Sequence, residues 1–400
     1  MAKLGMDMKK NISLFKVFMS DNAVDEAKKV LTSGFIGQGE VVDRFENELS
    51  SYFQHPFIAT VNSATSAEHL ALHLLKKDFS FIKSDVYGVR DVKWSGLKDG
   101  DEVLTTPLTC TATNWPILAN NLKIKWVDID PKTLNMDLDD LERKISKNTK
   151  VIFIVHWGGY PVDLERIRII QEKSLRLFGF KPAVIEDCAH AIGSKYKNKF
   201  IGTHGNICTF SLQAIKHITS VDGGLLFLPH EDMYKRARLL RWYGIDRDSP
   251  RKDFRCETDI EEWGFKFHMN DVCASIGSAN FKHLDNIISK HKSNANFYDS
   301  ELSNISGISL LERNKDMESS FWIYSLLVEN KSNFIKYMKE CGIAVSQVHE
   351  RNDIHTCVKE YRSMLPNLDK TIGNIISIPV GWWLTEEDRK YIVECIKSGW

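Results

Sequence analysis

Net charge is missing from this 400-residue chain: 53 Lys and Arg stand against 53 Asp and Glu. A dedicated nucleic-acid binder carries a basic excess, so no nucleic-acid partner is expected, although a local basic pocket stays open. No run of about 18 apolar residues occurs, so no membrane span is expected. The first residues, Met1 to Phe18, are basic but lack the apolar stretch and cleavage site of a secretory signal. The eight cysteines are scattered, with no CxxC pair. A disulfide framework or zinc ribbon is therefore not expected, and reduced thiols in a cytoplasmic protein are the default. Internal repeats, low-complexity linkers and a GxxxxGK[ST] phosphate loop are also absent. Gly37-Gln38-Gly39 has neither a preceding strand nor a third glycine at dinucleotide-binding spacing. His349 and His355 are not spaced as a helical pair, and no metal site is expected.

What remains is ordinary globular composition, 43% hydrophobic and 26% charged, at a length suited to one large and one smaller domain. Short apolar runs at 57–61, 102–106, 123–129, 151–156, 183–186, 206–212 and 224–228 alternate with helix-length segments such as 66–75, 162–174 and 232–242. This alternation predicts an α/β fold with a mostly parallel mixed sheet, whose ligands sit at the carboxyl ends of the strands. After about residue 265 the texture changes. Helices are expected near 269–284, onward to about 303, near 332–341 and from Thr385, a plausible N-cap, to about 397; a strand is expected over 321–328. The expected division is a large domain over 1–265, with an N-terminal arm over 1–30, and a smaller α+β domain over 266–400. Residues 77–98 read as a surface insertion.

Three constellations carry the chemistry. Asn62-Ser63-Ala64-Thr65-Ser66-Ala67 joins a strand to a helix. Alone it is an N-cap; with other support it is an anion site built on free helix N–H groups. Glu186-Asp187-Cys188-Ala189-His190 ends a buried strand in two acids. Such a carboxylate needs a partner, either an internal one or a protonated ring nitrogen of a cofactor. From Ser211 to Gly224 a lysine, Lys216, lies in a loop followed by paired glycines. It is either solvated surface or a depressed-pKa amine able to form an imine. A phosphate cup, a strand-end acid and a Ser-x4-Lys are together the parts that hold pyridoxal 5'-phosphate (PLP).

With these blocks in order, the chain resembles the DegT/DnrJ/StrS sugar aminotransferases, a branch of the fold-type I PLP enzymes. The resemblance rests on Gly34 to Gly39 with Phe45-Glu46, on Ser63 to Ala67, on Gly100 to Val103, on Thr109 with Ala112-Thr113, on Glu186 to Gly193 and on Ser211 to Gly224. It implies a three-layer PLP-transferase fold. Lys216 would bind the cofactor and move the substrate proton, and Asp187 would pair with the pyridine nitrogen. His190 would sit near the phenolic oxygen, and Ser63, Ala64, Thr65 and Ser211 at the phosphate. Gly37 and Gly39 would line the sugar-nucleotide entrance. The resemblance further implies a homodimer with shared sites, and an exchange of amino groups between an amino acid such as L-glutamate (leaving 2-oxoglutarate) and a nucleotide-linked keto sugar, with pyridoxamine 5'-phosphate (PMP) between the two halves. Such a reaction serves amino-sugar and surface-glycan biosynthesis.

Some positions depart from the pattern. Cys110 stands where an aromatic residue stacks on the cofactor. Lys266 stands where an Asn reaches the phosphate, and a lysine there offers a point charge. His349 and Arg351 are placed on a substrate-facing loop of the small domain. A related branch has His in place of the lysine and acts as a 3-dehydratase. Here the ungapped count from Ser211 puts Lys216, not His217, in that place, so transamination is favoured. A non-catalytic PLP-binding regulator is the remaining alternative, without any DNA-binding motif in its favour.

Overall fold

A computed structural model describes residues 10–80, 93–250, 253 and 259–400. All seven apolar runs of the first half form strands of one sheet: β1 (Ile58–Val61), β2 (Glu102–Thr105), β3 (Lys123–Trp126), β4 (Thr149–Val155), β5 (Ala183–Asp187), β6 (Ile207–Ser211) and β7 (Gly224–Phe227). Their spatial order is β1-β7-β6-β5-β4-β2-β3. β7 runs antiparallel to both of its neighbours, β1 and β6; the other pairings are parallel. The central strands are buried along nearly all their length, as a sheet covered on both faces must be.

The two faces are sorted by the two-residue period of a strand. Val151 and Phe153 pack into one core with Leu70, Ile117 and Leu240; these come from α3 (Ala64–Leu74), α4 (Thr111–Ala119) and α6 (Glu231–Leu240). Ile152 and Ile154 point the other way, toward Phe45, Ile167 and Ala274 of α2 (Glu40–Phe53), α5 (Leu164–Phe178) and α7 (Asp271–Phe281). Helix α1 (Asp21–Ser33) lies on α7. The result is the three-layer arrangement expected from sequence.

The core beneath the large sheet extends along the chain to Ile288, in the first turns of α8 (Leu284–Leu302). From Ala295 onward the same helix serves a second core, which also takes in Ile12. That core backs a small antiparallel sheet in the order β8 (Ile308–Leu310), β9 (Tyr324–Val328), β10 (Ile375–Ile378), with α9 (Lys331–Glu340) and α10 (Glu386–Lys397) packed on it. Thr385 caps α10 in a capping box with Asp388. The strand expected from residue 321 begins only at Tyr324. Phe321 is in the left-handed region at φ 52°, which breaks the extended run and turns the chain back toward the large sheet. Of the 77–98 insertion, a short ribbon pairs Phe79–Ser80 with Lys93–Trp94, and the buried Trp94 donates its indole N–H to Leu75 O at 2.8 Å; residues 81–92, Tyr87 included, lie outside the described residues. No helix among the described residues is long and apolar enough to cross a membrane.

Two devices fix the strand end that leads into α3. Glu46 accepts from both the backbone N and the hydroxyl of Thr60 at 2.8 Å, and it pairs with the buried Arg241, which also donates to Thr60 O at 2.8 Å. On β7, Gly224 passes so close beneath the start of α3 that a Cβ there would sit 2.4 Å from Ser63 C and 2.5 Å from Ala64 N. The paired glycines thus permit a backbone approach that no side chain tolerates. Gly224→Ala is expected to lower stability by about 1–3 kcal/mol through overpacking, read as a shift in the denaturation midpoint at unchanged slope. A variant as stable as the wild type would show that the approach is not tight.

Candidate active site

The first element of the site is the start of α3. Ser63 adopts an extended conformation as N-cap and its side chain accepts from Ser66 N at 3.1 Å, while the Ser66 hydroxyl is bonded to Asn62 Oδ1 at 2.6 Å. The N–H groups of Ala64 and Thr65 belong to the first turn, where no intrahelical acceptor exists. They and the exposed Thr65 side chain present donors and positive dipole outward, as an anion site requires. Ser211, at the end of β6, is opposite Gly224 in the sheet, and Val61 is opposite Gly224 on its other side. The strand ends therefore bring Ser63, Ala64 and Ser211 to one rim.

The acidic pair at the end of β5 divides between the faces of the sheet. Glu186 points to one side, where His156 Nε2 meets it at 2.8 Å and Asn206 donates at 2.7 Å. Burial pushes its carboxyl up, and these two donors more than offset that, leaving it below the usual carboxylate range. His156 Nδ1 accepts from Val162 N, which fixes Nε2 as the protonated nitrogen. His156, Glu186 and Cys188 are the one group among the described residues whose ligand atoms lie together as a metal site would need; burial pushes the Cys188 thiol well above its usual range. Asp187 points to the opposite side, into the site. It accepts from Thr113 Oγ1 at 2.6 Å and from Ala189 N at 2.9 Å, and Thr113 is bonded in turn to Thr109 at 2.8 Å. Thr113 stands in the block that carried the resemblance, but its role as holder of Asp187 is visible only in three dimensions.

Lys216 projects from the loop after β6. Its Nζ stands 3.6 Å from the centre of the Trp322 ring. Burial depresses its pKa to about 8, against the opposing pull of Asp187. Trp322 donates its N–H to Ile215 O at 2.8 Å and stacks on His190 with 3.9 Å between centroids. Trp322 is buried in the core on this face of the sheet, and the turn at Phe321 brings its ring over the lysine. His190 Nδ1 accepts from Gly158 N at 3.4 Å, so Nε2 carries its proton and faces His349 Nε2, also at 3.4 Å. Burial holds both imidazoles neutral, His349 near 3. His217 turns away from the site: its Nε2 meets Ser320 O at 3.0 Å, and its ring lies against His291.

The remaining candidates surround this centre at different removes. Cys110 is the exposed N-cap of α4 and lies close enough to Lys216 to act on its charge. The segment 349–352 closes over the same side: Asn352 donates to Thr109 O at 2.8 Å and accepts from Asn114 at 3.0 Å. Arg351 in that segment is not a free cation, because Asp353 and Asp369 both pair with it and raise its pKa. Of the cationic groups on this side, Arg351 is thus neutralised and Lys216 is depressed. Lys266 is exposed, and its carbonyl accepts from Asn62 Nδ2 at 3.2 Å, beside the α3 rim. Gly37 and Gly39 sit at the start of α2, where Asp271 accepts from Gly39 N at 2.7 Å and donates its own N–H to Gly37 O. A Cβ at Gly39 would come 2.9 Å from that carboxylate, which would have to shift.

A phosphate, a ring nitrogen and an aldehyde each find a matching group here: the free N–H groups of α3, the carboxylate of Asp187 and the depressed amine of Lys216. The residues fit PLP. Comparison with known proteins agrees. The sequence profile of the DegT/DnrJ/EryC1/StrS aminotransferase family matches residues 18–397. The GDP-perosamine synthase of Escherichia coli O157:H7 is 30% identical over 80% of this chain and 78% of its own length. AtS13 of Actinomadura melliaura superposes with a TM-score of 0.90 at 47% identity, covering 98% of this chain and 99% of its own. The sugar aminotransferase CalS13 of Micromonospora echinospora gives 0.89 at 44%, covering 97% and 99%. A Streptococcus pneumoniae relative, 27% identical with a TM-score of 0.85, has been solved in PLP and PMP forms, covering 97% of this chain and 98% of its own. The chain belongs to the DegT/DnrJ/EryC1/StrS aminotransferase family and is a PLP-dependent enzyme.

Proposed function

We propose that this enzyme transfers an amino group from L-glutamate to the keto carbon of a nucleotide-linked deoxy sugar. The observation that carries the reading is a partly buried lysine with a pKa near 8, set in the same site as an aspartate held by Thr113 and Ala189 N. PLP, when bound, would supply the electron-withdrawing ring that lets an amino group be exchanged between donor and acceptor. Asp187, oriented by Thr113 and Ala189, would pair with the ring nitrogen and keep it protonated. Lys216 holds the cofactor and carries the proton at the substrate carbon; a pKa near neutrality suits both tasks. Trp322 and His190 wall the lysine from solvent. Ala64, Thr65, Ser211 and the nearby Lys266 serve the phosphate. His349, neutral and beside His190, has a ring nitrogen available for sugar hydroxyls, and the segment holding Arg351 shapes that side.

Names among the relatives favour a sugar-nucleotide acceptor: GDP-perosamine synthase is one. A homodimer, implied by the family resemblance, would offer cover to exposed apolar side chains such as Met364, Phe35 and Trp263. The dehydratase reading is disfavoured because His217 faces Ser320 rather than Asp187.

Lys216→Ala is expected to lose the absorbance of lysine-bound cofactor and about 10²–10⁴-fold in turnover. An unchanged spectrum would remove Lys216 from its role. Since only the neutral amine attacks, attachment of PLP to the apoprotein should quicken as pH rises, with a midpoint near 8; a midpoint above 10 would contradict the depressed lysine. With L-glutamate and a panel of 3-keto and 4-keto nucleotide sugars, mass spectrometry should find one aminated product and an equal amount of 2-oxoglutarate. Loss of a sugar hydroxyl without glutamate consumption would assign the dehydratase instead.

A further inference from the structure

Glu68 takes no part in the function just described, yet its carboxyl is inside the site. It lies one turn beyond Thr65 on α3, and the residue is 1% exposed. Its Oε2 has no hydrogen-bond partner. The charged and titratable groups that face it are Asp187 from β5, within hydrogen-bonding reach, Cys110 from the start of α4, and Lys216 from the loop after β6. Two carboxyls in buried contact do not both ionise. The donors decide which one does: Asp187 has Thr113 and Ala189 N, whereas Glu68 Oε2 has none.

We propose that Glu68 is a positioning residue, held as a neutral carboxylic acid whose O–H donates to the Asp187 carboxylate and so completes the set of donors that orients Asp187 toward the cofactor's ring nitrogen. Burial and the neighbouring Asp187 both hold the Glu68 carboxyl well above the usual range, in the same direction. The arrangement leaves one negative charge, not two, opposite the pyridinium, and supplies a third donor that an apolar side chain could not. The inference rests on the reading that Asp187 pairs with that nitrogen.

The test uses the PLP-loaded enzyme and three variants. Wild type minus Glu68→Gln in the infrared at pH 7 should show the band of a protonated carboxyl, lost in the variant. With ring-¹⁵N-labelled PLP, Glu68→Gln, whose amide still donates, should leave the ring nitrogen resonance close to wild type. Glu68→Leu should displace it while its apoprotein melts at or above the wild-type temperature, because a buried carboxyl lacking a full set of partners has been removed. Three results would overturn the inference: no protonated-carboxyl band, a Glu68→Leu resonance at the wild-type position, or Glu68→Gln displaced as far as Glu68→Leu. Asp187→Asn separates the two readings. If it displaces the ring nitrogen and Glu68→Leu does not, the role of Glu68 alone fails. If Asp187→Asn leaves the nitrogen unmoved, the pairing of Asp187 fails and the inference with it.

Discussion

A carboxylate held at the buried end of a parallel strand is the constraint around which this molecule is arranged. Asp187 is 4% exposed, and desolvating an ion at that depth is affordable only if donors meet it. Thr113 reaches it from α4 and Ala189 from the turn after β5. Each of these requires its element to be in register: α4 must start at Cys110 so that Thr113 falls on the inner face, and β5 must end where the chain can fold back on the carboxylate. The lysine loop and the start of α3 sit at neighbouring strand ends, so a single sheet sets the separations of all the groups that address the cofactor.

The neighbouring acid shows the same physics in reverse. Glu186 is buried as deeply, but the strand period sends it to the other face, where His156 and Asn206 satisfy it as part of the scaffold. Two adjacent carboxylates thus have different tasks because a strand alternates. Around Lys216, burial outweighs the pull of the nearby Asp187. Trp322 covers the amine and His190 covers Trp322, which keeps the lysine partly uncharged near neutral pH without an opposing cation.

Much of this was legible in the sequence, because the signals were local. The seven apolar runs are bounded by turns and became the seven strands. Ser63 follows the end of β1, Asp187 ends β5 and Lys216 lies in the loop after β6, and paired glycines at 223–224 signal a close backbone approach whose object proved to be the α3 start. What was hidden depends on contacts between distant segments. Glu68 sits in a helix between Ala67 and His69, where a glutamate ordinarily faces water; only the seating of α3 on β6, β7 and α4 buries it. Trp322 reads as strand until the left-handed Phe321 redirects the chain. Arg351 reads as a free cation until Asp369, eighteen residues on, closes on it. The contact that fixes Gly39 comes from Asp271, 232 residues away.

The central claim is that the Asp187 carboxylate and the Lys216 amine address one cofactor from two sides. The most direct measurement is borohydride reduction of the PLP-loaded enzyme followed by peptide mass mapping. The account predicts a single phosphopyridoxyl label, on Lys216, with Lys266 unmodified. A label on Lys266 or any other lysine, or none at all, would contradict it.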